Sequence, residues 1–101
     1  MDHHSQHERD RLIGKNLRVI RMRRRFSQEQ MAEQFGIKRS SWSGYETGAI
    51  GAPTNLLVSL SEHYRISLDR LMTQDLGSYS EFKWKSLEDG LDHAHLDSIT
   101  A

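Results

Sequence analysis

No cysteine occurs in the 101 residues, which removes a disulfide scaffold, a thiolate metal site and a cysteine nucleophile together. No apolar run approaches the roughly 20 residues that a bilayer-spanning helix needs. The N-terminus carries Asp2, Glu8 and Asp10 with no hydrophobic stretch after them, so it does not read as a signal peptide. Net charge is also missing, because fourteen Lys and Arg balance fourteen Asp and Glu. There is no internal repeat and no low-complexity tract. A chain of this length holds one domain plus tails and cannot support two cores. These absences predict a soluble, cytoplasmic protein with no membrane association.

The zero net charge conceals an asymmetry. Between residues 9 and 46, ten bases (Arg9, Arg11, Lys15, Arg18, Arg21, Arg23, Arg24, Arg25, Lys38, Arg39) face four acids (Asp10, Glu29, Glu33, Glu46), a net of +6. After residue 46 four bases face eight acids, a net of −4. A basic body with an acidic tail points to a polyanionic partner for the body.

The apolar pattern is helical throughout that body. Residues 1–9 are polar and rich in histidine, which predicts a frayed, flexible N-terminus. From Arg11 to Arg25, Ile13, Leu17 and Ile20 recur at i, i+4 and i+7, the spacing of one helix face. Ser27 followed by Gln30 forms a capping box, with Phe26 and Met31 placed as its hydrophobic staple, so a second helix starts there. Gly36 can take the left-handed conformation that ends it. A further short helix over Lys38 to Glu46 presents Trp42 and Tyr45 three apart, which places both in the core rather than against bases, and Gly48 offers its end. Thr47 to Pro53 reads as a loop, with Pro53 near the first turn of a fourth helix marked by Leu57, Leu60 and Tyr64. His63 falls on the outer face of that helix. Ser67 can cap a last helix through Leu68, Leu71 and Met72. The fold class is all-α, a compact five-helix bundle over residues 10–74.

Two short helices joined by a tight turn, the second opening with Lys38, Arg39, Ser40 and Ser41, form the arrangement that lets one helix enter a major groove while its neighbour crosses the backbone. The stretch SQEQMAEQFGIKRSSWSGYETG resembles the helix-turn-helix of the Cro/CI-type, or xenobiotic-response-element, DNA-binding domains of phage repressors and bacterial regulators. The resemblance covers about residues 12–72 and includes Arg21 near the end of helix one, Ser27-Gln28 opening helix two, Ala32 and Gly36, and the Tyr45-Glu46-x-Gly48 that closes helix three. It implies a lambda-repressor-like fold and a cytoplasmic, nucleoid-associated regulator of bacterial or phage origin. The expected activity is sequence-specific binding of double-stranded DNA by a repressor, as a homodimer on a palindromic operator.

The resemblance also assigns residues. Lys38, Arg39, Ser40 and Ser43 fall where such domains read base edges. Gln28, with Ser27, falls where a side chain bonds a DNA phosphate. Arg21 and Glu46 match an ion pair that orients helix three. The Arg23, Arg24, Arg25 run beside the helix-turn-helix adds expected phosphate contacts. Two departures stand out. Gly44 occupies another base-reading position and cannot hydrogen-bond a base through a side chain, and the loop from Thr47 to Pro53 is uncharged where relatives are often basic. Both features favour a rival reading, an interaction module that has lost DNA binding; an antitoxin of a toxin-antitoxin pair is the alternative within the DNA-binding class.

Residues 75–101 read as a tail or linker. Tyr79, Phe82 and Trp84 are more apolar mass than a solubilising tail uses. They are expected to pack on a partner subunit or on helices four and five, while the acidic end stays mobile. The YSEFKW stretch allows a short strand. His3, His4 and His7, with His93 and His95, have metal-ligand character but imply no preformed site, so no metal or cofactor is expected. Nothing pairs a nucleophile with a base and no phosphate-cradling or HExxH motif occurs, so an enzyme is not expected.

Overall fold

Ile13, Leu17 and Ile20, the stripe that defines helix one in the sequence, are all buried. A computed structural model of the chain describes residues 3–89, with side chains from residue 6 onward. Helix α1 runs His3–Arg23, longer at its start than the periodicity over 11–25 implies. Two contacts account for the extension: Gln6 Nε2 donates to Asp10 Oδ1 at 3.0 Å, and Arg9 Nη1 reaches the carbonyl of Met72 at 3.0 Å. At its other end the chain leaves the helix through Arg25, whose φ of 60° is left-handed.

Serine caps start two of the next four helices, and left-handed glycines follow the ends of two. Helix α2 (Gln28–Gln34) opens on the complete capping box, Ser27 Oγ accepting from Gln30 N at 3.0 Å and Gln30 Oε1 accepting from Ser27 N at 2.8 Å. Gly36 and Gly48 carry φ of 69° and 80° just beyond α2 and α3, the left-handed stops expected of them. Helix α3 spans Arg39–Thr47 with Lys38 as its N-cap, and α4 spans Thr54–Tyr64 with Pro53 immediately before it. Helix α5 (Leu68–Thr73) is capped by Ser67 Oγ, which accepts from Arg70 N.

Helices α1–α5 are the five expected over residues 10–74, and among the described residues a sixth follows them. After a single 3-10 turn at Leu76–Ser78, α6 runs Glu81–Glu88, and the YSEFKW stretch supplies its first half instead of a strand. Ser80 Oγ accepts from Lys83 N at 3.1 Å, an N-cap that favours helix. Trp84 and Leu87 then stand three apart and are both buried, whereas strand alternation would put them on opposite faces. Tyr79 and Trp84 thus pack within their own chain, their rings 5.6 Å apart, while Phe82 stays 71% exposed. The acidic end from residue 90, with His93 and His95, lies outside the described residues.

One buried polar residue sits inside the apolar stripe of α1. Asn16, fully buried, donates from Nδ2 to the carbonyls of Leu71 at 2.8 Å and Gln74 at 2.7 Å, and its Oδ1 accepts from Leu76 N at 3.0 Å. It serves the backbone groups left unpaired at the end of α5. The join between α1, α5 and the 3-10 turn is made by this amide. No helix among the described residues is long and apolar enough to cross a membrane.

Candidate nucleic-acid interface

Helices α1 and α3 lie unusually close. A side chain at Gly14 would bring its Cβ to 2.5 Å from the carbonyl oxygen of Glu46, and nearer still to that of Tyr45. Only a residue without a Cβ lets the two backbones meet. This approach carries the guanidinium of Arg21 to Glu46, where Nε donates to Oε2 at 2.6 Å and Nη2 to Oε1 at 3.1 Å. The Arg21 side chain is 14% exposed and that of Glu46 4%. Arg21 Nη1 also donates to the carbonyl of Phe26 at 2.9 Å, binding the turn before α2 to the same cluster.

Glu46 gathers two further donors. Gln28 Nε2 reaches Oε1 at 3.0 Å and Trp42 Nε1 donates to Oε2. Burial pushes the carboxyl upward, but the bonds from Arg21, Gln28 and Trp42, with the charge of Arg21, outweigh it and hold Glu46 below the ordinary carboxylate value. One carboxylate therefore locks α1, α2 and α3 together. Arg21 and Glu46 form an ion pair, and Trp42 lies fully buried in the core as its spacing implied.

Against that locked face, α3 turns its start to solvent. Lys38, Arg39 and Ser40 are exposed and Ser43 is half-buried. Ser27 and Gln28 stand at the start of α2; the Ser27 oxygen already serves the capping box, which leaves its hydroxyl proton available, and the Gln28 amide retains a second N–H beyond the one on Glu46.

The arginine run separates into three environments. Arg23 is clasped by α6: its Nη2 lies 2.8 Å from Glu81 Oε1, its Nε 2.6 Å from Glu88 Oε2, and its guanidinium 4.9 Å from the Trp84 ring centre. These carboxylates raise the Arg23 pKa, and Arg23 in turn lowers theirs. Arg24 lies 4.9 Å over the ring of Tyr64. Arg25 is exposed at the left-handed end of α1. The sequence held no sign that Arg23 had partners, because both stand 58 and 65 residues away.

Residues 12–73 match the family described as a helix-turn-helix domain. The chain belongs to that family. Its helix-turn-helix domain is similar to two regulators of Bacillus subtilis (strain 168), both uncharacterised HTH-type transcriptional regulators: YobD, 38% identical over 56 residues, and YqaE, 30% identical over 61. The matches cover 55% and 60% of this chain and 50% and 53% of those proteins, so the chain spans about half the length of the curated relatives it matches. No solved structure is significantly similar. The helix-turn-helix is formed by α2 and α3, and the matched region contains Asn16 and the whole Glu46 cluster.

Two residues of this helix-turn-helix domain went unassigned in the sequence. Gly14 is an isolated glycine inside a helical pattern, a recognised sign of close packing. Ile50 is a lone apolar residue in a loop, and its sequence carries no signal of where it points.

Proposed function

We propose that the chain is a DNA-binding transcription regulator that acts in the cytoplasm as a repressor, dimeric on a palindromic operator. The observation that supports this best is the Glu46 cluster. It holds α3 rigidly on α1 and α2 while the basic start of α3 faces outward, and rigid support is what a helix entering a groove requires. Lys38, Arg39, Ser40 and Ser43 read base edges in this proposal. Ser27, Gln28, Arg24 and Arg25 contact phosphates, and Arg23 instead ties α6 to the body.

The uncharged loop from Thr47 to Pro53 favours a second reading, an interaction module of the same fold that binds protein. Titrating duplex DNA at several salt concentrations separates the two, since phosphate contacts release counterions and give a steep fall of affinity with salt. An absence of salt-dependent binding would leave the interaction module standing. Given binding, Gln28→Ala should weaken it on all sequences alike, and Arg39→Ala should cost about 1–3 kcal/mol on the preferred site and relax selection at one position. An unchanged preference in Arg39→Ala would remove α3 as the reading helix.

A further inference from the structure

Glycine at position 44 leaves a blank on α3 that a side chain from outside the helix fills. At about 100° per residue, Ser40, Gly44 and Thr47 lie at i, i+4 and i+7 and share one face. Trp42 and Glu46, each two positions from Gly44, lie on the opposite face and are buried. Gly44 is therefore central to the outward side of α3. Beyond Gly48 the chain folds back, and Ile50 N donates to the Gly44 carbonyl at 3.2 Å. Its side chain lies across the glycine: a Cβ at position 44 would stand 2.6 Å from Ile50 Cδ1 and 3.0 Å from Cγ1. Ile50 nonetheless remains 51% exposed.

We propose that Ile50 is a specificity-determining residue that packs its methyl group on the 5-methyl of a thymine in the major groove. The proposal rests on the DNA-binding reading above and names one base that the outward face of α3 selects. In the major groove thymine alone presents a methyl, and the other bases present only hydrogen-bonding edges. An isoleucine side chain satisfies no donor or acceptor, so pressed against the other bases it would desolvate polar groups without replacing their bonds. The apolar group that a glycine cannot supply at position 44 is delivered there by the loop. The neutrality of that loop is consistent with this role, since its contribution is to selection and not to phosphate attraction.

The test uses the full chain and operators selected from a random duplex library by the wild type and by Ile50→Ala. The wild type should select a T·A pair at a position where Ile50→Ala does not. Replacing that thymine by deoxyuridine, which deletes only the methyl, should weaken wild-type binding about fourfold, the value of one buried methyl, and leave Ile50→Ala unchanged. Equal wild-type affinity for the thymine and uracil operators would overturn the assignment of Ile50 while leaving DNA binding intact, and so would an unaltered selection by Ile50→Ala. No salt-sensitive duplex binding by the wild type would overturn this proposal together with the reading it rests on. The uracil comparison changes the DNA and not the protein, so it stands whatever the variant does to folding.

Discussion

Two glycines of α1 and α3, one between the helices and one on the outward side of α3, differ in what they stand against. At Gly14 an added methyl meets the backbone of α3, which can yield only if the helices separate. Gly14→Ala should therefore destabilise the fold by about 3 kcal/mol or more, the upper range for overpacking. At Gly44 the methyl meets the far end of the Ile50 side chain, which can swing aside. Gly44→Ala should leave thermal stability within about 1 kcal/mol, with the helix-propensity gain of alanine offsetting the contact. Comparing the two melting temperatures checks both, and equal losses would contradict the close approach of α1 to α3. Glu46 is the other residue that decides more than its neighbours do. Because its folded-state pKa lies below the ordinary value of 4.5, the folded protein binds this proton more weakly than the unfolded chain does. Its stabilisation is complete above that value and fades as the pH falls through the folded-state pKa. Glu46→Gln should flatten the acid limb of a stability-against-pH curve. Breaking the pair from either side should cost about 3–5 kcal/mol, with Arg21→Met and Glu46→Gln together costing less than their sum. Additive losses in that double-mutant cycle would show the pair to be uncoupled.

At the level of elements, the helix-turn-helix and the C-terminal half are joined to α1 by different means. α3 is held through charge and close backbone contact, and α5 through Asn16. That amide bonds three backbone groups, the carbonyls of Leu71 and Gln74 and the N–H of Leu76. Asn16→Leu retains the size and loses every bond, including the two buried ones to Leu71 and Leu76, at about 1–3 kcal/mol for each group that water cannot reach. A loss of at least about 2 kcal/mol in urea unfolding is expected. Retained stability would mean that the α1–α5 join is carried by its apolar contacts. The caps, by contrast, are local: Ser27, Ser67 and Ser80 each accept from the backbone N–H three residues on. Each is worth about 1 kcal/mol and sets where a helix starts, not where it lies.

For the molecule as a whole, α6 is the piece that changes the picture most. Trp84 and Leu87 share a cleft with Ile20, Tyr64 and Ile66, and Arg23 closes it over Glu88. Removing residues 80–101 uncovers that side of the core. Burial of two large side chains at about 1.5–3 kcal/mol each implies a stability loss of roughly 3–6 kcal/mol. Phe82→Ser, altering an exposed side chain of the same helix, should change stability by no more than about 0.5 kcal/mol. Urea midpoints of the truncated and substituted chains check this, and a truncation without effect would make α6 an appendage instead of part of the core.

What can be read from the sequence here is what depends on near neighbours. The starts of α2 and α5 rest on a serine and the amide three residues later. Helix stops at Gly36 and Gly48 rest on one backbone conformation, and the burial of Leu17, Trp42 and Leu60 on a period of 3.6. The Arg21–Glu46 pair was legible only through resemblance, since nothing in the local pattern joins residues 25 positions apart. The tertiary structure alone decided that Arg23 faces two carboxylates more than 55 residues away, that Asn16 belongs inside an apolar stripe, and that Ile50 lies over Gly44. Each depends on the position of a second backbone segment. Distance and direction between segments are set by the packing of the entire core, and no window of sequence contains them.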